Sequence, residues 1–307
     1  MCSSDLGLEG VPAFDHVYLI IGENTELGQI NGSNSPYIIG TLKPESAWLT
    51  NYFALTHFSE ANYVGMTSGQ FTSCQQFDGS AASCHQRVGN LFRQLDGAGV
   101  SWLAWMESMP EACTLTSAGS PKERNHYGAK HNPPIFFDNI EGAGGVWSAT
   151  DRSKECLTRD IPAGGTGRND MSAFNAAVGQ GGLAAFNFVV PNECEDGHDN
   201  CKPSGNSISQ FDRFLHREIP TIQRGDPGAL ILVTFDEGTS NRGDGNGHQF
   251  AGGGNVAFFA LGSQVTSGVY DGVYDHYSLL RTLEDGYGIS QHLAGARSAS
   301  AITGIWG

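Results

Sequence analysis

Basic side chains are scarce in this chain: 17 Lys and Arg stand against 32 Asp and Glu, a formal charge of −15. Such a surface repels nucleic acid and anionic membranes at long range, so no nucleic-acid partner is expected. The repulsion is screened over about 8 Å at physiological salt. An anionic small molecule is therefore not excluded, provided the pocket supplies local positive charge, as a divalent cation would. Long apolar runs are missing as well. Nothing approaches the ~18 consecutive apolar residues of a membrane span, and no stable membrane insertion is expected. The cysteines show neither CxxC nor Cys/His ligand spacing, which argues against a closed zinc site. No internal repeat or linker divides the chain, and residues 11–307 read as one domain. Residues 1–10 read as a non-native or disordered lead-in. Cys2 to Leu6 resembles a translated sequencing adapter, and an export signal is then expected to be missing.

Six further cysteines are present. They fall into close pairs or plausible partners, Cys74/Cys84, Cys194/Cys201 and Cys113/Cys156, although six cysteines permit fifteen connectivities. An even set of this kind favours disulfides and hence a secreted or cell-surface protein. A reduced protein with scattered thiols is the other reading.

Phe14–Ile21 is apolar on both faces, as a central parallel strand is. Pro44–Leu55 sets Ala47, Trp48, Tyr52 and Leu55 at helical spacing and predicts a helix. Val88–Leu95 predicts another, ended by Gly97 and Gly99. Val100–Met106 reads as a strand, 107–182 as loop-rich, and Ala185–Val190 as a strand stopped by Pro191. Ile208, Phe211, Phe214, Leu215 and Ile219 mark one helix face. Leu230–Phe235 and Val256–Leu261 follow as buried strands, and a helix runs from His276 to Glu284. Strands alternating with helices imply an α/β fold with a mostly parallel central sheet and helices on both faces.

In such a sheet ligands collect beyond the carboxyl ends of the strands. Four expected exits carry polar side chains: Glu23-Asn24, Glu107, Asn192 to Asp199, and Asp236-Glu237. One acidic pair would do no more than cap the helix after its strand. Two pairs together point to a cation, and their oxygen donors suit calcium or magnesium. Carboxylate, amide and alkoxide donors also accept iron, manganese or zinc. Ser59-x-x-Asn62 places a hydroxyl near an amide, and that hydroxyl needs a base or a metal to become nucleophilic. Metal-assisted phosphoryl transfer fits the set. His131, in Lys130-His-Asn132, and His198, in Asp196-Gly-His-Asp199, lie in polar turns where an imidazole can face a cleft. His276 and His248 are further candidates, and His126 ranks below them. His16, His85, His216 and His292 read as structural or exposed. Gly243-Asp-Gly-Asn-Gly247 looks like a calcium or phosphate loop but lacks a following helix, so it reads as a flexible turn.

Several segments resemble the phosphoesterase family of bacterial acid phosphatases and phospholipases C, within the alkaline phosphatase-like group. They are Glu23-Asn24, Thr56-His57-x-Ser59-Glu60-x-Asn62-Tyr63, Glu107-Ser-Met-Pro110, Tyr127-x-x-Lys130-His131-x-Pro133, Val190-Pro-Asn192, His198-Asp199, Val233-Thr-x-Asp236-Glu237 and His276-Tyr277. The resemblance implies an alkaline phosphatase-like α/β/α sandwich. It implies Ser59 as nucleophile and metal ligand, with Glu23, Asn24, Asp236 and Glu237 completing the shell of one divalent ion. It implies a phosphate pocket of Asn62, His131 and His198, to which Lys130, Asp199 and Glu107 are added as substrate-binding residues. The expected substrate is a phosphorylated small molecule or a phosphoinositide-like monoester. A phospholipase C-type phosphodiesterase using the same site is the alternative enzyme, and an exported phosphate- or metal-binding protein is the non-catalytic one. The family writes proline where Phe58 and Ala61 stand here, so Ser59 is expected to be less preorganised.

Overall fold

The computed structural model describes residues 8–71, 74, 77–181, 183–202, 205–243 and 252–307. The expectations for Cys2 to Leu6, for His248 and for the 243–247 loop beyond Gly243 lie outside the described residues.

Among the described residues, eight strands form one sheet: β1 (Val17–Gly22), β2 (Ala47–Phe53), β3 (Trp102–Met106), β4 (Asp160–Pro162), β5 (Phe186–Val190), β6 (Leu230–Phe235), β7 (Asn255–Leu261) and β8 (Gly268–Asp275). Their spatial order is β4-β3-β5-β1-β6-β7-β2-β8. Only β7 runs antiparallel to its neighbours, β6 and β2; every other pairing is parallel. Every residue of β5, β1, β6 and β7 is buried, which requires cover on both faces. Five longer helices contribute to it: α1 (Ser59–Ser68), α2 (Leu91–Gly97), α3 (Ser172–Gln180), α4 (Ser207–Gly225) and α5 (His276–Gly286). α1 packs on α2 and α5, and α3 packs on α4. On α4 the buried stripe is Phe211, Phe214, Leu215, Ile219 and Ile222, the spacing of a helix that lays one face on a core.

The α/β class with a mostly parallel sheet is borne out, and so are all three cysteine pairs, Cys74–Cys84, Cys113–Cys156 and Cys194–Cys201. One element is reversed. The helix read over Pro44–Leu55 is a short helix at Lys43–Glu45 followed by β2. β2 lies between β7 and β8, and its bulky Trp48, Leu49, Tyr52 and Phe53 are covered. A strand buried on both faces has no need to alternate, so four apolar residues fell at helical spacing by accident. β8 was not anticipated from the sequence: its Val-Tyr-Asp pattern alternates exposed and half-buried positions along an edge. The stretch 107–182 holds more structure than loops alone, including Lys154–Arg159, β4 and α3.

Candidate active site

β1 and β6 are parallel neighbours with Gly22 opposite Phe235. The next residue of each strand, Glu23 and Asp236, therefore emerges beside the other, and the Asp236 N–H donates to Gly22 O at 2.9 Å. On the other flank of β1, the Glu23 N–H donates to Asp196 O at 2.7 Å and draws the 192–199 segment over the same edge. That approach needs a glycine. Gly197 sits at φ 109°, and a Cβ there would stand 2.8 Å from Glu23 O. β2 runs parallel to β1, so its exit also leads to this edge, where α1 begins with Ser59.

The Ser59 Oγ donates to Glu23 Oε2 at 3.0 Å, in a fully buried contact at the positive end of α1. Tyr63, one turn on, donates its hydroxyl to Glu23 Oε1 at 2.7 Å and stacks on the His131 ring at 5.2 Å. Phe58, ahead of Ser59, holds φ at 78°. Proline is locked near −65°, so the proline of the family pattern does not fit this backbone. Asn62 organises the turn instead. Its Oδ1 accepts from Leu55 N and Thr56 N (3.1 and 3.2 Å), and its Nδ2 donates to Thr56 O and Phe58 O (2.8 and 3.3 Å). The amide is occupied by the backbone beneath Ser59, so in this conformation it does not reach toward a phosphate.

Asn24 holds φ at 50°, and its N–H donates to Asp236 Oδ1 at 3.2 Å. Asp236 Oδ2 is buried with no hydrogen-bond partner among the described residues. Glu237 pairs with His57 Nδ1, while His57 Nε2 lies 3.1 Å from Ser240 O. Burial pushes Glu23 well above the ordinary carboxylate range, and Asp236 and Asp196 push it further. Burial raises Asp236 to about 6 despite the hydrogen bonds it accepts, and raises Glu237 to about 9 with help from Asp236 and Asp78. Buried carboxylates crowded this closely favour a proton or a cation.

His131 is buried between two of these acids, with Nε2 3.3 Å from Glu23 Oε2 and Nδ1 3.5 Å from Asp196 Oδ2. Burial, then Lys130, His198 and His126, hold it well below the ordinary histidine range, so the ring is neutral. Burial opposes charge on His198 too, but the Asp199 hydrogen bond and Glu193 overcome it and raise its pKa. His198 Nδ1 lies 2.9 Å from Asp199 Oδ1, and Nε2 lies 3.3 Å from Lys130 Nζ. Lys130 also reaches Asp78 at 3.2 Å. Burial would depress it, yet Glu23, Asp78 and Glu193 keep it above its usual value. His126 closes this wall, with Nδ1 2.9 Å from Glu193 and 3.0 Å from Asp199.

Glu23, Asn24, Ser59, Asp236 and Glu237 thus share one edge, with His131, His198, Lys130 and Asp199 along its side. Glu107 does not join them. It is buried behind Asn192, whose N–H it accepts at 2.9 Å, and its charged neighbours are Glu195, Arg217 and Glu218. His276 lies behind the site, with Nε2 2.7 Å from Asp236 O. His16, His85 and His292 pair with Asp226, Asp138 and Asp285 away from it. Three participants were not singled out from sequence: Tyr63, His57 and Asp196. The first two stand inside the Thr56–Tyr63 motif, and Asp196 stands two residues before His198. Glu23, His131 and Asp196 bring ligand-type atoms within 4.8 Å of one another, as do His126, Glu193 and Asp199.

The Phosphoesterase family model matches residues 22–290. A phosphatidylinositol-3-phosphatase of Mycobacterium tuberculosis is 29% identical over 98% of this chain and 86% of its own length. A probable acid phosphatase of Kluyveromyces lactis is 27% identical over 89% of this chain, which spans 58% of that protein. Among solved structures, a protein in the alkaline phosphatase superfamily from Vibrio parahaemolyticus aligns over 98% of this chain and 75% of its own, with a TM-score of 0.57 at 12% identity. At that identity the likeness speaks for the fold.

Proposed function

The chain belongs to the phosphoesterase family, and from that premise we propose that it hydrolyses phosphate monoesters, with Ser59 as the nucleophile and a phosphoserine as intermediate. The observation that carries this reading is the buried Ser59 Oγ at 3.0 Å from Glu23 Oε2, on the first residue of α1 and beside Asp236. With its carboxyl ionised, Glu23 takes the hydroxyl proton as the oxygen attacks phosphorus and the ester P–O bond breaks. His198, held charged by Asp199, gives its proton to the departing alkoxide, which leaves poorly without one. Water then cleaves the phosphoserine, with the deprotonated His198 as base and Glu23 returning its proton to the Ser59 oxygen as that P–O bond breaks and phosphate leaves. Lys130 and the neutral His131 face the phosphoryl oxygens, where fixed donors contribute most. Asn62 acts one step back, as the clamp that sets the Ser59 turn.

The donor set fits a divalent cation. Three buried carboxylates share the pocket, and Asp236 Oδ2 lacks any partner among the described residues. Glu23, Asn24, Ser59, Asp236 and Glu237 would hold the ion, calcium or magnesium by donor type. When bound, it supplies charge neutralisation and a lower hydroxyl pKa.

The mycobacterial relative is named for a phosphoinositide substrate, and a phosphoinositide-like or other phosphorylated small molecule is the substrate class proposed here. Three disulfides support an exported protein, with residues 11–307 as its phosphoesterase domain. The test is Ser59→Ala. Turnover of a chromogenic aryl phosphate should fall by about 10⁴-fold or more, the scale of losing a nucleophile. Near-normal turnover would refute the assignment.

A further inference from the structure

Two histidines and two acids meet on the side wall of the pocket, apart from the set assigned to the catalytic ion. Two segments bring them together. The Glu193 N–H donates to His126 O at 2.8 Å, and the Asp199 N–H donates to Glu193 O at 2.7 Å. The Cys194–Cys201 disulfide closes the same loop, so Glu193, His198 and Asp199 are carried on a crosslinked frame.

Their ligand-type atoms converge. His126 Nδ1 lies 2.9 Å from Glu193 Oε2 and 3.0 Å from Asp199 Oδ2. His198 Nδ1 lies 2.9 Å from Asp199 Oδ1 and 3.6 Å from the same Glu193 Oε2. One carboxylate oxygen is thus shared by two ring nitrogens, and Asp199 turns one oxygen to each ring. Two separate histidine–acid pairs need no such sharing. Bonds of about 2.1 Å to zinc set tetrahedral neighbours about 3.3 Å apart, within the span of these four separations. Both rings are 26% exposed and Asp199 is 21% exposed, so an ion reaches them from solvent. Lys130 meets the His198 ring at its other nitrogen, Nε2, and is itself paired with Asp78.

We infer that His126, Glu193, His198 and Asp199 form a second cation site, for a zinc-class ion, whose occupation inhibits the enzyme. Imidazole with carboxylate suits zinc, whereas the oxygen donors of the catalytic set suit calcium or magnesium. The two sites therefore select different ions. No ligand is a cysteine, so cysteine spacing carried no sign of it. The effect on activity runs through His198. Zinc takes the Nδ1 lone pair and displaces the proton held there. The ring can then no longer become the imidazolium whose proton the departing alkoxide needs. Inhibition rests on the phosphomonoesterase reading; zinc binding does not.

In the binding arm, the protein in excess magnesium is titrated calorimetrically with zinc chloride. The native protein should bind one equivalent more than His126→Gln. His16→Gln, at a histidine away from the cluster, is the control and should match the native protein. Equal uptake by the native protein and His126→Gln means that the site does not exist, and so does a loss shared by the control. Glu193→Gln keeps the side chain's shape and removes its charge. It repeats the test should His126→Gln misfold, and undiminished uptake there also overturns the site. In the kinetic arm, zinc should lower kcat for an alkyl phosphate at least about tenfold in the native protein and less than about twofold in His126→Gln. Equal inhibition of the two refutes the inhibitory role. If the native protein hydrolyses no ester, the enzymatic reading fails while the titration still decides the site.

Discussion

Among single residues, the clearest division lies between those that touch the reaction and those that aim them. In the mechanism proposed above, Ser59 and Glu23 belong to the first kind, and both were legible because each sits in a short motif directly after a strand or turn. Asn62 has the right spacing to face the same point as Ser59, but its amide is consumed by Leu55, Thr56 and Phe58. Spacing fixes which face a side chain shares; it does not fix where an amide bonds. Tyr63 and Asp196 were hidden because tyrosine and aspartate are common and only their contact with Glu23 and His131 marks them. His198 makes the sharpest test. His198→Gln should slow an alkyl phosphate by about 10²–10⁴-fold while leaving an aryl phosphate, whose leaving group needs no proton, within about tenfold. Since Asp199 and Glu193 raise its pKa, His198 stays protonated to a higher pH than a free imidazole. Alkyl-ester turnover should therefore persist to that pH and fall above it. Asp199→Asn removes a raising hydrogen bond, so the fall should move to lower pH in the rate profile. An unmoved profile would remove His198 from the acid role.

For elements, the turn into α1 and strand β2 are instructive. The family pattern suggests that restoring proline at position 58 would stiffen the turn, but the backbone there is at φ 78°. Phe58→Pro should lower both melting temperature and activity. Phe58→Gly should raise stability by about 1 kcal/mol, because relief of roughly 1–3 kcal/mol of strain exceeds the entropy glycine adds to the unfolded chain. Phe58 is 44% exposed, so little burial is forfeited. Thermal unfolding of the two variants distinguishes these outcomes. β2 shows the opposite limit of sequence reading. Its local pattern favoured a helix, and pairing with β7 and β8 overrode it. By contrast β1 and β6 were evident from their unbroken apolar runs, as fully buried strands are.

Over the whole molecule, crosslinks and charge set stability. The Cys113–Cys156 bridge spans 43 residues and ties the 107–182 stretch together. Replacing both cysteines with serine should cost about 4 kcal/mol by loop-closure entropy, read as a lower denaturant midpoint. Stripping divalent cations with a chelator should lower melting temperature and turnover together. The loss is about 2.7 kcal/mol of stability if the ion had been present at 100 times its Kd, and calcium or magnesium should restore both. A melting temperature indifferent to the chelator would mean that Glu23, Asp236 and Glu237 hold no ion. The sequence by itself determined the class of fold and the list of strand ends where chemistry is concentrated, because burial pattern and residue type are local properties; the cysteine pairs it only favoured. Tertiary structure alone decided that Glu23 meets Asp236 and Ser59, that Glu107 turns away and that Asn62 serves the backbone. Those outcomes depend on which strands become neighbours, and contacts between residues up to about 200 positions apart are formed only when the sheet closes over its core.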